Sequence, residues 1–378
     1  DRISNLPDSL LCHILSFLPT KEAPLWTLVP TLDFKDSPCK NIVSFTYIVY
    51  RILALRIAPL LRNFTLAWYS LCDSFHLYTW IHAALVRNVE QLNLEIYLNG
   101  NDNYNGRRFK LPRSVYSCKT VVVMELTGGI LLDPPPSFRF PSLKNLRLCK
   151  FFYRYEDSMS RLFTGCPVLN DLAVLRDGVD GMTNFNTSIP KLKRLSIHFN
   201  SYKYPNTPGY KLEIYTPALE YFEFCGDLHN VVFLEKLANL VEAHADIRAV
   251  EGPHMRWVCD NKIYCGDRIF KLLRALNNTK LFSLYPGDKE HYHNSEEKLC
   301  WTEPPHDAGY LSSHLTTFYF EGFEGLEHEV DFVKYILKEA RVLKKIKINV
   351  TDRQSKESVL EKLSRFPRHS TTCLLIVE

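Results

Sequence analysis

Pro141-Ser-Leu-Lys-Asn-Leu-Arg-Leu148 and Pro190-Lys-Leu-Lys-Arg-Leu-Ser-Ile197 are two copies of one pattern, in which three apolar residues stand three and then two positions apart. The last two apolar residues share one face of a strand, because successive side chains of a strand point to opposite faces. A proline two residues before the first leucine stops a preceding helix and starts an extended stretch. The same proline precedes the copies that begin at Leu169 and Leu219.

The pattern recurs along most of the chain. Its middle residue steps by 21 to 27 positions between Met124 and Ala243, which lies inside the period of leucine-rich repeats. Such a strand buries its apolar face only when a neighbouring repeat stacks beside it. We therefore predict an α/β fold, a leucine-rich-repeat solenoid with eleven parallel strands in sequence order in one curved sheet. The triplets are Leu61/Phe64/Leu66, Val89/Leu92/Leu94, Val121/Met124/Leu126, Leu143/Leu146/Leu148, Leu169/Leu172/Val174, Leu192/Leu195/Ile197, Leu219/Phe222/Phe224, Leu240/Ala243/Ala245, Thr279/Phe282/Leu284, Leu315/Phe318/Phe320 and Leu343/Ile346/Ile348.

Short helical patterns between the triplets predict an outer layer of helices. Cys118 and Cys166 both stand three residues before the first apolar position of a triplet, so we interpret them as repeat core and not as nucleophiles. The helical patterns cover residues 76–87, 158–163, 231–237, 268–276 and 329–341.

Composition and charge favour an ordinary globular protein. The 378 residues are 46% hydrophobic, and 46 Lys plus Arg against 42 Asp plus Glu give a formal charge of +4. So slight an excess points neither to nucleic acid nor to an anionic membrane, and no apolar run approaches the roughly 18 residues of a membrane-spanning helix. Eleven cysteines without a dense framework suit free thiols in a reducing compartment. We expect a cytoplasmic or nuclear protein without nucleic-acid or membrane partners.

The sequence contains no motif typical of an enzyme, a metal site or a cofactor site. The sequence lacks the glycine-rich phosphate loop, the dinucleotide fingerprint, the nucleophile elbow and the paired-histidine zinc helix. Two cysteines and three histidines come near one another in the sequence, but their spacings match no zinc pattern. We expect no catalytic residue, no metal and no cofactor. The five residues are His254, Cys259, Cys265, His291 and His293.

The amino-terminal residues follow a different pattern. Apolar residues recur at helical spacing after a proline suited to a first turn, which predicts a short amphipathic helix over about residues 7–17. The stretch reads Asp1-Arg-Ile-Ser-Asn-Leu-Pro-Asp-Ser-Leu-Leu-Cys-His-Ile-Leu-Ser-Phe-Leu-Pro-Thr-Lys-Glu-Ala23. It resembles the opening of the F-box of plant F-box/leucine-rich-repeat proteins.

The carboxyl-terminal residues resemble the FBD domain that ends such proteins. The resemblance rests on Cys300-Trp301, Leu311-Ser-Ser-His-Leu315, Phe320-Glu-Gly-Phe-Glu-Gly325, Val333-Lys-Tyr-Ile-Leu-Lys338 and Leu343-Lys-Lys-Ile346. On this basis the chain divides into a partial F-box at 1–23, a connector at 24–60, leucine-rich repeats at 61–298 and FBD-like repeats at 299–378.

The resemblance implies a substrate-recognition adaptor of an SCF-type cullin-RING E3 ubiquitin ligase. In such proteins the F-box docks on a Skp-type linker and the repeats select the target protein, while other subunits carry out the ubiquitin chemistry. The residues carried over as linker contacts are Leu6, Pro7, Leu10, Ile14 and Leu18.

The F-box departs from the family pattern at one point. Ala23 runs straight into Pro24, whereas the family continues through a second helix and into a third. We therefore expect linker binding to be weakened or lost, which leaves a second interpretation open. The chain would then be a leucine-rich-repeat protein-binding module that no longer couples to a ligase, with its terminal helix packed on the first repeat.

A candidate partner-binding surface follows from the strand register. On leucine-rich-repeat strands the residues flanking the last leucine point away from the core and line the concave face. The wider stripe holds five carboxylates and two Lys or Arg residues, so it lacks the clustered cations that an anionic cofactor such as an inositol phosphate needs. The predicted partner-binding residues are Glu95, Glu125, Arg147, His198, Glu223, His244, Tyr285, Tyr319 and Glu321.

Two interpretations of this stripe stay open. It is either a plain solvated face or a protein-binding surface with Tyr285 and Tyr319 as anchors. Either way its charged residues face water, so joint replacement of Glu125, Glu223 and Glu321 by Lys is expected to leave the melting temperature nearly unchanged.

Overall fold

Parallel strands, one repeat apart, dominate the chain. A computed structural model describes residues 29–36, 42–56, 58–70, 74–97, 108–155, 157–176, 184–199, 211–226, 231–233, 237–247, 272–273, 275–276, 278–285, 313–352 and 354–378. The chain falls into two units, Asp1–Leu169 and Asn170–Glu378.

The first unit is built on a ladder of parallel strands in sequence order, β1-β2-β3-β5-β7. The middle apolar residues of the ladder stand in one line across the strands and are buried: Leu32, Phe64, Leu92, Met124 and Leu146. The strands of the unit are β1 (Thr31–Lys35), β2 (Asn63–Trp68), β3 (Gln91–Ile96), β4 (Phe109–Lys110), β5 (Val123–Gly128), β6 (Ile130–Leu132), β7 (Asn145–Cys149) and β8 (Phe152–Tyr153).

A second, short parallel ladder, β4-β6-β8, follows the ends of the longer strands. The chain passes from β5 to β6 through Gly128, whose φ is +97°. A Cβ atom on Gly128 would lie 2.4 Å from the carbonyl oxygen of Ile96. Only glycine therefore fits this corner without strain. The triplet pattern gave no sign of these short strands.

Helices of the first unit pack against its ladder. They are α1 (Ile42–Leu55), α2 (Ser74–Val86) and α3 (Ser158–Thr164). Phe45 of α1, Trp68 of β2 and Trp80 of α2 meet with ring centroids 5.5 to 6.2 Å apart. The segment expected to be a connector therefore contains one more strand, β1, and one more helix, α1, whose aromatic side chain joins the core.

The second unit repeats the arrangement with eight parallel strands, β9-β11-β13-β15-β16-β17-β18-β19. Another short parallel ladder, β10-β12-β14, accompanies it. The strands are β9 (Asp171–Arg176), β10 (Asn184–Ser188), β11 (Arg194–Phe199), β12 (Lys211–Tyr215), β13 (Tyr221–Gly226), β14 (Val231–Phe233), β15 (Glu242–Ile247), β16 (Leu281–Tyr285), β17 (Thr317–Phe323), β18 (Lys345–Val350) and β19 (Leu374–Val377).

The last three strands of the second unit are connected by two helices, α4 (Glu327–Glu339) between β17 and β18 and α5 (Lys356–Ser364) between β18 and β19. The Glu329 carboxylate accepts hydrogen bonds from the backbone N–H groups of Glu324 and Leu326, and so satisfies donors at the start of α4. The Ser355 hydroxyl does the same for α5 by accepting from the N–H of Ser358. Local sequence thus fixes where both helices begin.

The predicted fold class is confirmed. The last two residues of all eleven triplets lie on strands that pair in parallel and in sequence order within each unit. Cys118 and Cys166 are buried, as expected for repeat core. The outer helices predicted at 76–87, 158–163 and 329–341 are α2, α3 and α4.

One predicted helix is wrong, and two predictions fall partly or wholly outside the described residues. The pattern at 231–237 contains β14, which pairs with β12, because a short apolar run suits a buried strand as well as a helix. At 268–276 the described residues 272, 273 and 275 are helical. The helix expected over residues 7–17 lies outside the part of the chain that the structure describes.

Candidate protein-binding surface

The strands expose the alternate residues that the sequence register assigned to the surface. Burial alternates along each long strand, as in β9, where Leu172 and Val174 are buried and Ala173 between them is not. All nine residues of the predicted partner-binding set are half-buried or exposed, namely Glu95, Glu125, Arg147, His198, Glu223, His244, Tyr285, Tyr319 and Glu321. Their accessibility agrees with the register, and their role in binding stays a prediction.

In the first unit this surface is sparse in ion pairs. Glu125 on β5 and Arg147 on β7 are direct neighbours across the ladder. Glu95 on β3 lies next to Thr127 and is hydrogen-bonded to the Tyr69 phenol. Burial, followed by that hydrogen bond, raises the pKa of Tyr69 to about 12, so Tyr69 stays a neutral hydrogen-bond donor.

A stacked tyrosine pair adjoins Glu95. The rings of Tyr69 and Tyr97 lie 5.5 Å apart and 10° from parallel. A Cβ atom on Gly128 would lie 3.2 Å from the Tyr97 ring, so the glycine leaves room for it. The sequence reasoning missed this pair because it stopped at the fourth strand position. Continuing the alternation of β3 by one residue pair would have reached Tyr97.

In the second unit the surface carries a connected polar group, here called the Glu223 cluster. At its centre the Ser196 hydroxyl donates a 2.7 Å hydrogen bond to the Glu223 carboxylate. His198 Nε2 lies 3.1 Å from the Ser196 oxygen and 3.4 Å from a Glu223 oxygen. The Tyr221 hydroxyl donates to Glu223 at 3.5 Å. The members of the cluster are Ser196, His198, Tyr221, Glu223, Glu242 and His244.

Glu223 is a fixed negative charge in this cluster. The hydrogen bond from His198, then that from Ser196 and the charges of the two histidines, lower the pKa of Glu223 to about 2, although burial opposes the shift. Its side chain is 36% exposed, so the anion is accessible from solvent. Glu223 is therefore ionised throughout the physiological range and can act as an acceptor for a partner.

Aromatic rings and one guanidinium extend the cluster along the strands. The Arg194 guanidinium lies 4.0 Å above the Tyr221 ring and its Nε is 3.3 Å from the Asp171 carboxylate. The His244 ring lies 5.4 Å from the Tyr221 ring, and His244 Nε2 is 2.7 Å from a Glu242 oxygen. Strand positions two and four alone omit Arg194, Tyr221 and Glu242, which occupy the first exposed position of their strands.

On the carboxyl-terminal strands of the second unit, the carboxylates have side-chain partners of a different kind. Glu321 on β17 accepts a hydrogen bond from the Asn349 amide, and Lys347 Nζ lies 2.7 Å from a Glu378 oxygen. Lys345 Nζ lies 5.6 Å from the Tyr319 ring centroid. The Lys347 charge thus faces the Glu378 and Glu321 carboxylates, whereas Glu223 has no Lys or Arg partner among the described residues.

Tyr285, one of the two expected anchors, lies against backbone. A Cβ atom on Gly322 would come 3.0 Å from the Tyr285 ring, and Gly322 has a φ of +67°. The Tyr285 ring thus lies close to Gly322, where a larger residue would crowd it. Cys225, a fourth-position residue, is buried, and its thiol donates to the Asp246 carboxylate at 3.2 Å.

Several expected features fall outside the described residues. The predicted linker contacts Leu6, Pro7, Leu10, Ile14 and Leu18 all do, and so do the five scattered cysteines and histidines around residues 254–293. Within the described ranges no group of three or more His, Cys, Asp or Glu side chains is placed to hold a metal ion. In the same ranges no helix has the length and apolarity to cross a membrane.

Three family models match separate parts of the chain. The F-box domain matches residues 3–28, the LRR repeats of FBD-associated F-box protein At5g56370 match residues 77–206, and FBD matches residues 309–348. The three matches follow the order of the predicted segments.

Full-length relatives from Arabidopsis thaliana are similar throughout. The chain is 30% identical to F-box/FBD/LRR-repeat protein At4g26340, with 100% of each chain covered. It is 30% identical to FBD-associated F-box protein At4g10400 and 29% identical to probable FBD-associated F-box protein At1g32375, with 99% of each chain covered in both comparisons. The likeness thus spans the amino-terminal segment, the repeats and the carboxyl-terminal segment together.

Proposed function

Because the chain belongs to the plant F-box/FBD/LRR-repeat proteins, we propose that it is a substrate-recognition adaptor of an SCF-type cullin-RING E3 ubiquitin ligase. The observation that carries the proposal is the combination, on one chain, of an F-box match at residues 3–28 and a leucine-rich-repeat array. F-box domains generally bind a Skp-type linker, and repeats of this kind bind protein targets. An adaptor needs both.

The adaptor role requires no catalytic residue in this chain. Proteins of the family are typically non-enzymatic, because other subunits of the ligase transfer ubiquitin. The exposed strand residues described above support binding instead, since they combine accessible carboxylates with tyrosine rings held in place by neighbouring groups. The proposed partners are a Skp-type linker, the cullin-RING module and a target protein held on the repeats.

The proposed linker contact lies in the amino-terminal segment. By sequence register, Leu6, Pro7, Leu10, Ile14 and Leu18 are its proposed contacts. By sequence, the departure from the family pattern at Ala23-Pro24 retains one short helical pattern, whereas stable interfaces usually bury about 800 Å² on each partner. The chain is therefore proposed to bind its linker weakly. With no binding at all it would be a leucine-rich-repeat protein-binding module uncoupled from the ligase.

Ubiquitin transfer in a reconstituted ligase tests the function. The full chain is mixed with a Skp-type linker, a cullin, its RING subunit and the ubiquitin-activating and -conjugating enzymes, and ubiquitin attached to the chain itself is measured. We expect attachment that requires the linker and that Leu10→Asp removes. Ser9→Asp is the matched control, because helical spacing sets Ser9 away from the apolar stripe. Attachment that is absent, or that does not need the linker, would favour the uncoupled module.

A further inference from the structure

Building on the proposed function, we propose that the exposed face of β11, β13 and β15 docks a lysine- or arginine-bearing segment of a partner protein. The Glu223 cluster is the centre of this surface. The docked segment is a cationic stretch of polypeptide, and its binding surface lies in the second unit only.

The exposed face around the Glu223 cluster is acidic, which suits a cationic partner. The exposed strand positions of β9, β11, β13 and β15 carry four carboxylates and, among the described residues of that face, one Lys or Arg residue, Arg194. Arg194 is already engaged with Asp171 and Tyr221. The face therefore presents an excess of negative charge. The carboxylates belong to Asp171, Glu223, Glu242 and Asp246.

The two central carboxylates, Glu223 and Glu242, are held by neighbouring side chains. Glu223 contacts Ser196, His198 and Tyr221, and Glu242 contacts His244. These contacts come from hydroxyl groups and imidazole rings, and they orient the two carboxylates. Among the described residues no Lys or Arg is paired with either carboxylate, so an incoming ammonium or guanidinium can supply a permanent positive charge.

Arg194 shows how such a cation would be held. Its guanidinium lies over the Tyr221 ring, a cation–π contact at 4.0 Å, with the Asp171 carboxylate 3.3 Å from its Nε. The next strand also brings aromatic rings and a carboxylate together, since the His244 ring lies 5.4 Å from the Tyr221 ring and His244 Nε2 is 2.7 Å from a Glu242 oxygen. An incoming cation would meet the same two kinds of group there, a ring and a carboxylate.

The described strands β17 and β18 of the second unit carry a different pattern of charge. Glu378 is paired with Lys347, and Glu321 accepts from Asn349. Two lysines, Lys345 and Lys347, also stand on β18 beside Tyr319. A cationic segment would meet repulsion there, which confines the proposed docking surface to β11, β13 and β15.

Peptide selection with the full chain tests the proposal. Random peptides of about 12 residues displayed on phage are panned on the wild-type chain near pH 7.5, and the enriched peptides are synthesised for titration. We expect them to carry Lys or Arg and to bind the Glu223→Gln/Glu242→Gln variant at least about tenfold more weakly. Glu125→Gln, a matched carboxylate change in the first unit, should bind like wild type.

The salt dependence of wild-type binding is a second measurement, which does not depend on a variant that folds. If the double variant fails to fold, as judged by circular dichroism, the salt dependence of wild-type binding decides, and we expect a marked loss in raised salt. Enrichment of peptides without Lys or Arg, no enrichment, or salt-independent binding would overturn the proposal. Linker binding should be unchanged in all these variants, so its loss would count against the adaptor function instead.

Discussion

Ser196 and Glu223 face each other across two neighbouring parallel strands, and the serine hydroxyl donates to the glutamate carboxylate at 2.7 Å. The two residues are 27 positions apart in sequence, one repeat. The contact shows that this stretch of the exposed face is organised by side-chain hydrogen bonds. It also means that carboxylates with the same strand position need not respond alike to substitution.

Glu125→Lys and Glu223→Lys should therefore differ in their effect on stability. For Glu125 we expect a change in the free energy of unfolding within about 0.5 kcal/mol. For Glu223, loss of hydrogen bonds to a charged, half-exposed acceptor should cost about 1 to 2 kcal/mol. Urea denaturation of both variants measures this difference. Equal values would restore the simpler expectation that all these carboxylates are merely solvated.

The pH dependence of stability provides a second test of Glu223. Its pKa of about 2 in the folded chain lies below the ordinary value of 4.5. A lowered carboxylate pKa stabilises the fold at higher pH, and this contribution is lost as the pH falls below about 4.5 towards 2. We expect the urea midpoint of the wild type to fall more steeply over that window than that of Glu223→Gln. Parallel curves would show that the shift is absent.

Gly128→Ala should destabilise the first unit. The glycine has a φ of +97°, and an added Cβ would meet the Ile96 carbonyl oxygen at 2.4 Å. Strained backbone of this kind costs about 1 to 3 kcal/mol. Thr127→Ala, on the preceding residue of the same strand, is the control and should cost much less. A melting temperature of Gly128→Ala equal to that of the control would contradict the corner geometry.

Thiol reactivity should separate two cysteines of the first unit. Burial raises the pKa of Cys166 to about 12, and its thiol donates to the Leu162 carbonyl. Cys149 is only half-buried. Under native conditions iodoacetamide should label Cys149 well before Cys166, and unfolding should remove the difference. Peptide mapping by mass spectrometry measures both rates. Rapid native labelling of Cys166 would mean that the repeat core opens.

Sequence reasoning reached the strand register because that register is repeated. Leu172, Leu195 and Phe222 pair in one line, as their triplets predicted. The short strands escaped prediction because two or three residues carry no period. The pattern at Val231–Phe233 predicts a helix but forms a strand, because a short apolar run suits a helix and a buried strand equally. Helix α1 was missed because it lies ahead of the first triplet.

The candidate surface was only half predictable for a related reason. Alternation along a strand indicates which residues reach solvent, and it placed Glu223 and His244 correctly on the exposed face. It does not reveal the neighbour across the ladder, which comes from another repeat. The contact of His198 with Glu223 and the stack of Tyr69 on Tyr97 depend on side-chain conformations that a single strand pattern does not contain.

The central claim is that this chain is an adaptor whose shortened F-box still contacts a Skp-type linker. Calorimetric titration of the linker into three chains tests it most directly: the present chain, a chain with a family-like helical segment restored between Ala23 and Pro24, and the restored chain with Leu10→Asp. We predict weak binding by the first, tight binding by the second and none by the third, because a short isolated helix is marginal without supporting contacts. No binding by the present chain, no binding by the restored chain, or binding that Leu10→Asp leaves intact would contradict the account.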